Sequence, residues 1–344
     1  MNYLKGKTIL ITGGAGFIGF HFAHRLMQTT DCRIIIIDNL NDYYSVDLKK
    51  DRLKQLGFNL SENKHPKGHI FYRIDISDSK RLRTVFDENK IDIVVNLAAQ
   101  AGVRYAKTNP RVYIESNIDG LFNILEESDA HKVDLLLYAS SSSIYGNDSE
   151  IPFKESSTNL QPLSLYAATK LSGELMAQTF SQSTSLHAVG LRFFNVYGPW
   201  GRPDMAYFKW STALKEDKLI TIHGEGKMLR DMTYIDDVTE AMIRLIGRYA
   251  PMSGAINSLG IYENHEVFNI GNSDPTVIQH VFDFLSNKLG RTGRVSYVQK
   301  GEEEADTTYA DTNKLRQAVG FTPHTDVELG LGKFTDWFKD YYKV

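Results

Sequence analysis

The feature that most constrains this chain is a series of short aliphatic runs separated by segments with helical periodicity. The sharpest run, residues 33–37, is an arginine followed by four isoleucines. Similar runs occupy residues 8–12, 70–74, 91–97, 135–139 and 186–194. Short β-branched runs without a polar face are typical of parallel strands buried on both sides. Because such strands alternate with helices, the sequence predicts an α/β protein with a doubly wound parallel sheet of the Rossmann type.

The alternation weakens after about residue 195, which indicates a second region. A Gly/Pro-rich loop at residues 198–203 precedes a helical pattern at 208–216, strand-like runs at 220–222 and 266–270, and a helix at 278–289. We expect residues 1–194 to form a dinucleotide-binding domain, to which the chain returns at about residues 232–272. Residues 195–344 are expected to form mainly a smaller C-terminal substrate-binding domain.

The composition of the chain narrows the classes of molecule that the protein is expected to bind. The chain has 344 residues, 42% of them hydrophobic, and a net charge of -3, which argues against a nucleic-acid or anionic-membrane partner. No apolar segment approaches the ~20 residues of a membrane helix, and no signal peptide precedes the first strand. Cys32 is the only cysteine, so no internal disulfide can form. We expect a cytoplasmic protein.

A glycine-rich loop joins the first strand to the first helix. Gly13, Gly16 and Gly19 are spaced three residues apart. In dinucleotide-binding loops, such glycines allow a tight turn, close approach of a pyrophosphate, and close packing of helix on strand. The phosphates then meet N–H groups at a helix N-terminus. A plain strand-to-helix turn is the structural alternative for the glycines alone.

Asp38 makes the dinucleotide interpretation stronger. It ends the second strand, where an acidic residue accepts the ribose hydroxyls of a dinucleotide. Its charge would repel a 2′-phosphate, and no arginine follows directly, which favours NAD over NADP. Asp75 and Ile76 follow the third strand, where the adenine is expected by the same logic. A cap or turn is the structural alternative for Asp38.

Tyr166 and Lys170 are the candidate catalytic pair. Four residues apart on a helix, they lie on one face, and a nearby ammonium favours the phenolate form of a tyrosine. A phenolate can take a hydroxyl proton while a hydride leaves the same carbon. The preceding run of serines, residues 140–143, follows another predicted strand and offers a hydroxyl to the same site. By itself, a Tyr/Lys pair at this spacing is usually a solvated helix face.

The sequence resembles extended short-chain dehydrogenases/reductases, specifically the nucleotide-sugar epimerases. The matching segments are TGGAGFIG (12–19), DNL (38–40), LAAQAGVR (97–104), ASSSSIYG (139–146), YAATK (166–170), RFFNVYGPWGRPDM (192–205) and RDMTYIDDV (230–238). They span nearly the whole chain, and the likeness is greatest to UDP-glucuronate 4-epimerases.

The resemblance implies an NAD-dependent enzyme that oxidises C4 of a UDP-sugar and reduces it again from the other face. It implies that Tyr166 is the base, with Lys170 and Ser141 as its partners. The implied NAD-binding residues are Gly13, Gly16, Phe17, Ile18, Gly19, Asp38, Asn39, Asp75, Ile76, Ala98, Ala99, Asn117, Tyr166, Lys170 and Phe193. The implied substrate residues are Ser142, Ser143, Asn195, Arg202 and Arg230, with Arg230 at the diphosphate and Arg202 at a uronate carboxylate. A homodimer is also implied, paired through helical segments 112–128 and 166–180.

Two departures leave the sugar open. Asn195 stands where glucuronate epimerases usually have threonine and is more typical of glucose/galactose-type enzymes. The segment GEEEADTTYAD (301–311) is longer and more acidic than the family pattern. A UDP-glucose or UDP-N-acetylglucosamine 4-epimerase is therefore the alternative substrate assignment.

Other reactions of the same superfamily need a second acid. Sugar-nucleotide dehydratases and decarboxylases carry acidic residues where this chain has Ser142 and Ser143, and a serine is no useful acid near neutral pH. Epimerisation needs none, so the sequence favours it. A non-catalytic dinucleotide-binding protein also stays open, although Tyr166, Lys170 and Ser141 argue against it. We expect no metal centre, because no histidines or acids have ligand spacing.

Overall fold

The computed structural model describes residues 2–61, 65–66, 68–147, 150–250, 264–302 and 304–344. The strands are β1 (Thr8–Thr12), β2 (Arg33–Ile37), β3 (Ile70–Tyr72), β4 (Ile93–Asn96), β5 (Leu135–Ser141), β6 (His187–Phe193), β7 (Asn195–Tyr197), β8 (Ile220–His223), β9 (Leu229–Tyr234), β10 (His265–Ile270), β11 (Pro275–Val277) and β12 (Val295–Val298). The helices are α1 (Phe17–Thr29), α2 (Val46–Gln55), α3 (Ser79–Glu88), α4 (Arg111–Ile114), α5 (Gly120–Ala130), α6 (Leu165–Ser183), α7 (Ala206–Lys215), α8 (Ile235–Tyr249), α9 (Ile278–Leu289), α10 (Asn313–Val319) and α11 (Val327–Tyr342).

These elements form two compact units. The first comprises the described parts of Met1–Ser141, Ser164–Arg192 and Thr239–Phe268, and the second those of Ser142–Leu163, Phe193–Val238 and Asn269–Val344. Residues 251–263, within the predicted return of the chain, lie outside the described residues, as does Glu303 of the acidic segment. The assignment of one domain to the dinucleotide and the other to the substrate stays a prediction.

Seven strands form the central sheet, in the order β3-β2-β1-β4-β5-β6-β10. β1 pairs in parallel with β2 and with β4, and β4 pairs in parallel with β5. The prediction of a doubly wound, Rossmann-type sheet is confirmed. Strand order reverses between β1 and β4, and ligands of such sheets bind at the carboxyl ends of the strands beside that reversal.

Local sequence explains where the flanking helices begin. Ser45 caps α2 by accepting the N–H of Leu48 at 3.2 Å, and Asp78 caps α3 by accepting that of Arg81 at 3.1 Å. Ser164 caps α6 in the same way. Such caps satisfy backbone donors that have no partner within the helix. The apolar faces pack on the sheet, in a core that includes Leu10, Ile35, Val94, Ile124 and Leu136.

The predicted helix at residues 112–128 is interrupted. α4 ends at Ile114, a wider π-helical turn occupies Glu115–Asp119, and α5 begins at Gly120. Such turns accommodate an extra residue and are frequent at functional sites. The apolar periodicity of the sequence does not reveal a π-helical turn, because the helices on either side of the turn keep their buried faces.

The second unit contains two small sheets, in which the sequence patterns predicted only β8. β7, β9 and β11 form one small sheet, and β8 and β12 form another. Asp231 of β9 is buried, and its carboxylate accepts the N–H groups of Asn272, Ser273 and Ala310 at 2.7–3.0 Å. The position of β9 therefore depends on segments 40 to 80 residues further along the chain, which no local pattern indicates.

No helix within the described residues is both long enough and apolar enough to span a membrane.

Candidate active site

The glycine-rich loop follows β1 and leads into α1. Gly13 has φ +67°, and a Cβ there would lie 2.8 Å from the backbone nitrogen of Ala98. A Cβ on Gly19 would lie 2.3 Å from the carbonyl oxygen of Gly13. Gly16 precedes α1 without a side-chain cap, so the first-turn N–H groups of Phe17 and Ile18 face the loop. This geometry suits a pyrophosphate at the helix N-terminus.

A pair of buried polar side chains joins β1 to β4 at the strand-order reversal. The hydroxyl of Thr12 donates to Asn96 Oδ1 at 2.5 Å and accepts the N–H of Ala98 at 3.1 Å. Ala98 is thereby held against Gly13, and Ala99 follows it. The structure therefore brings the two alanines predicted from the resemblance to the glycine-rich loop.

Asp38 lies directly after β2 and faces the same loop. Its Oδ2 accepts the N–H of Ala15 at 3.1 Å and its Oδ1 accepts that of Leu40 at 2.9 Å. Burial raises the pKa of this carboxyl, and its hydrogen bonds and the charges of Lys49 and Arg52 oppose that rise. Each oxygen keeps acceptor capacity for a ribose hydroxyl.

The other predicted cofactor residues of the first unit lie at strand ends or form hydrogen bonds between elements. Asn39 donates to the carboxylate of Asp75 at 2.7 Å. Ile76 is buried against Gly120 of α5. Asn117 lies in the π-helical turn, where its amide nitrogen donates to the carbonyl of Gln100 and the hydroxyl of Thr169, each at 3.0 Å, and its oxygen accepts the Gln100 N–H at 2.8 Å. Asn117 thus ties the segment after β4 to α6.

The catalytic pair occupies the first turns of α6. Tyr166 is the second residue of the helix and is half-buried, with the ring of Tyr113 6.2 Å away in an edge-on arrangement. Lys170 is buried, and its ammonium donates to the carbonyl of Ala139 in β5 at 3.0 Å. Burial lowers the pKa of Lys170 to about 8. Ser141, two residues beyond Ala139, ends the same strand.

The predicted substrate residues belong to the second unit. Ser142 and Ser143 begin a short 3₁₀ turn. Asn195 accepts the hydroxyl of Thr308 at 3.2 Å. Phe193, predicted to contact the cofactor, is buried at the end of β6.

The two predicted substrate arginines differ in their partners. Arg202 is held by Asp204 through Nε at 3.0 Å and Nη2 at 2.5 Å. Arg230 donates to the carbonyls of Leu229 and Asp306 at 2.9 and 3.2 Å and contacts the Met228 sulfur at 3.1 Å. Arg202 therefore shares its charge with a carboxylate in direct contact, whereas carbonyl groups orient Arg230 and the carboxylates of Glu304 and Asp306 act on it through their charge.

Sequence reasoning missed several residues of the first unit. Lys49 and Arg52 of α2 are buried beside Asp38, and Glu174 extends the Tyr166/Lys170 face of α6 by one more turn. Glu174 accepts the Ser140 hydroxyl at 2.5 Å and pairs with Arg192 through two bonds of 2.8 and 2.9 Å. The spacing of Tyr166, Lys170 and Glu174 at every fourth residue was the available signal. Within the described part of the chain, no group of three or more His, Cys, Asp or Glu residues could hold a metal ion.

The fold and these residues define an enzyme of the dinucleotide-binding α/β class. The model of the NAD dependent epimerase/dehydratase family matches residues 9–271, and the chain belongs to that family. Protein CapI of Staphylococcus aureus is 46% identical over 340 residues, which cover 97% of this chain and 99% of that protein. UDP-glucuronate 4-epimerase 1 of Arabidopsis thaliana is 38% identical over 342 residues, which cover 98% of this chain and 78% of that protein.

Solved structures of similar fold support the assignment of the chain to this family. UDP-glucuronic acid 4-epimerase from Bacillus cereus, in complex with UDP-glucuronic acid and NAD, has a TM-score of 0.83 and 30% identity, and the match covers 97% of this chain and 100% of that one. UDP-glucose 4-epimerase from Thermotoga maritima, with UDP-glucose, has a TM-score of 0.81 and 25% identity, and the match covers 97% and 99%. NAD is the cofactor of this enzyme, and the glycine-rich loop, the N-terminus of α1 and Asp38 fit it.

Proposed function

We propose that this enzyme is a 4-epimerase of UDP-glucuronate, interconverting it with UDP-galacturonate. The observation that carries the reaction type is the chemistry beside Tyr166 and Lys170. Ser142 and Ser143 follow Ser141 where elimination or decarboxylation would require an acid, so the chain's own groups support proton transfer at one hydroxyl only. The glucuronate substrate is supported by the names of the similar proteins from Arabidopsis and Bacillus cereus.

In this proposal, Tyr166 takes the proton of the C4 hydroxyl and later returns it. Lys170 holds a positive charge beside the phenolate, and the carbonyl of Ala139 keeps that ammonium in place. NAD, which the glycine-rich loop and Asp38 would hold, would supply the acceptor and donor of the C4 hydride. Arg230 holds the diphosphate while the 4-keto ring turns over, so that reduction occurs on the opposite face.

The second candidate substrate is a neutral hexose or an N-acetylhexosamine linked to UDP. Asn195, held by Thr308, favours it because glucuronate epimerases usually have threonine there. A panel of UDP-glucuronate, UDP-glucose and UDP-N-acetylglucosamine, with products resolved by NMR, decides between the two. Inversion at C4 of UDP-glucuronate alone supports the proposal, and inversion of a neutral sugar alone contradicts it.

Arg202→Ala tests whether this arginine recognises the uronate. Arg202 lies on a Gly/Pro-rich loop, and its planar guanidinium suits a bidentate contact with a carboxylate. We expect a loss of about 1.5–3 kcal/mol of binding, which is roughly ten- to a hundredfold in kcat/KM for UDP-glucuronate, with little change for UDP-glucose. The variant should also release decarboxylated 4-keto pentose, because its carboxylate is less restrained.

Asp204→Asn is the matched control for Arg202. It keeps the shape of the partner but removes the negative charge, so uronate binding should be maintained or improved. Equal losses for both substrates in Arg202→Ala would instead make this arginine a diphosphate or loop-ordering residue.

We also propose that the enzyme acts as a homodimer, paired through α5 and α6.

A further inference from the structure

Asp38 lies in surroundings that would normally favour a neutral carboxyl. Only 8% of its surface is exposed, and burial of an isolated carboxylate is costly. Its two backbone hydrogen bonds, from Ala15 and Leu40, supply dipoles but no compensating charge. The compensating charges come from α2, because Lys49 and Arg52 are the cations that lower the pKa of Asp38 against the effect of burial.

Lys49 and Arg52 are themselves unusually buried. They are 4% and 0% exposed, although charged residues are almost never fully buried without partners. Lys49 donates to the carbonyl and side-chain oxygens of Asn41, each at 2.7 Å. The ring of Tyr44 is 4.5 Å from the Lys49 ammonium and 5.5 Å from the Arg52 guanidinium carbon. Both cations are therefore kept away from water, and their charges act on Asp38.

Ala15 connects these charges to the glycine-rich loop. Its N–H donates to Asp38, and its carbonyl accepts a hydrogen bond of 2.9 Å from Arg52, which also donates to the Tyr44 hydroxyl at 2.8 Å. One peptide segment of the loop is thus bound on one side by the anion and on the other by a cation. A change in either charge acts on the pyrophosphate loop and on the ribose acceptor together.

We propose that Lys49 and Arg52 are positioning residues that select NAD over NADP by acting through Asp38. They keep its carboxylate ionised for the two ribose hydroxyls and hold the loop against it. One anion and two cations give this cluster a charge of +1, from -1 and +2, so its charge as a whole does not reject a 2′-phosphate. The preference for NAD over NADP therefore depends on the charge of Asp38. When that charge is removed, Lys49 and Arg52 become a site for a 2′-phosphate.

The first test measures dissociation constants for NAD on enzyme stripped of cofactor, by titration calorimetry. Lys49→Met should weaken NAD binding roughly tenfold, about the worth of one charge-assisted hydrogen bond, because the carboxylate that accepts the ribose hydroxyls loses a supporting charge. In the Asp38→Asn background, the same substitution should have no further effect, because there is no carboxylate charge left to support. Lys50→Met is the matched control, since Lys50 is exposed on the same helix, and it should bind NAD like the wild type.

The second test measures NADP binding in the same proteins. Asp38→Asn should bind NADP at least tenfold more tightly than the wild type, and Asp38→Asn/Lys49→Met should lose that gain. Arg52→Lys keeps the charge and should retain NAD binding better than Arg52→Met. Thermal unfolding of each cofactor-free protein identifies variants that lose binding because they misfold. If Arg52→Met misfolds, Lys49→Met decides the test, because Lys49 is the less buried of the two residues.

Two results would overturn the proposal. In one, Lys49→Met costs the same in the wild-type and Asp38→Asn backgrounds, which means that the lysine acts independently of the carboxylate. In the other, Asp38→Asn gains no NADP binding, which means that the cations do not form a phosphate site.

Discussion

Tyr166 lies in the first turn of α6 and is the proposed base of the reaction. We expect Tyr166→Phe to abolish epimerisation while NAD remains bound, because the phenol carries the proton and the cofactor is held by the glycine-rich loop and Asp38. The measurements are turnover by NMR and NAD content of the purified protein. Near-wild-type turnover in this variant would exclude Tyr166 as the base.

Lys170, the proposed partner of Tyr166, is buried at a cost to stability. Its pKa is about 8 in the folded protein, whereas a lysine in an unfolded chain has a pKa of roughly 10.4. The unfolded chain therefore binds this proton more tightly, and the free energy of unfolding should rise with pH between those two values.

Lys170→Met removes that cost. We expect the free energy of unfolding at pH 7 to rise by about 1–3 kcal/mol while epimerase activity is lost, with the gain shrinking as pH rises towards 10. Urea unfolding at pH 7 and pH 10 measures both parts. A variant less stable than the wild type at pH 7 would mean that the hydrogen bond to Ala139 outweighs the burial of the charge.

At the residue scale, the sequence indicates candidates for the chemistry more readily than the residues that support them. Tyr166, Lys170 and Asp38 are recognisable because their spacing or strand position follows from the chemistry. Lys49 and Arg52 are not, because a lysine and an arginine on a polar helix usually face solvent. Only the tertiary structure shows that this face of α2 is covered by Tyr44 and the glycine-rich loop.

At the scale of elements, the contact between α6 and its neighbouring strands sets the position of the catalytic pair. Lys170 binds Ala139 of β5, and one turn later Glu174 binds Ser140 of β5 and Arg192 of β6. Consecutive turns of the helix thus bind consecutive residues of the strand that ends in Ser141. A shift of one residue in this register would move Ser141 relative to the first turns of α6.

The buried Glu174–Arg192 pair gives a prediction that separates stability from positioning. Glu174→Ala leaves Arg192 buried without its carboxylate, so we expect a loss of about 3–5 kcal/mol in the free energy of unfolding. Glu174→Met/Arg192→Met should recover most of that loss, since no buried charge remains, but kcat should stay low because Ser140 and α6 are no longer joined. Urea unfolding and steady-state kinetics provide the two readouts.

Lys132→Met serves as the control, because its pair with Asp129 is exposed and should contribute less than ~1 kcal/mol. Full recovery of kcat in the double variant would show that the pair does not position the helix.

The elements themselves were predicted to different extents in the two halves of the chain. The six predicted strands of the central sheet are present, with ends that differ by at most two residues, because burial on both faces leaves a continuous apolar run. β7 was not predicted because it has only three residues, and β9 because it mixes polar with apolar residues. Their positions depend on long-range bonds such as those of Asp231.

At the scale of the whole molecule, α5 and α6 carry apolar side chains that this single chain leaves uncovered. Phe122 of α5 is 44% exposed and Leu175 of α6 is 58% exposed, and the ring of Phe122 lies edge-on to that of Phe180 at 6.3 Å. Exposed large apolar groups on two adjacent helices mark an interaction surface. A second copy of the chain is the proposed occupant, because a two-fold axis would pair each helix with its own symmetry mate.

The homodimer predicts a specific response to a charge on this surface. The wild type should have twice the mass of one chain by light scattering at micromolar concentration. Leu175→Arg should have the mass of one chain, because two buried arginines would face each other across the axis without partners.

Leu219→Arg is the matched control, since Leu219 is 61% exposed in the second unit and should leave the dimer intact. Since Leu175 lies beyond Lys170 on the outer face of α6, the monomeric variant should retain NAD, which distinguishes lost association from misfolding. A wild-type protein with the mass of one chain, or a Leu175→Arg variant that stays dimeric, would place the self-association surface elsewhere or remove it.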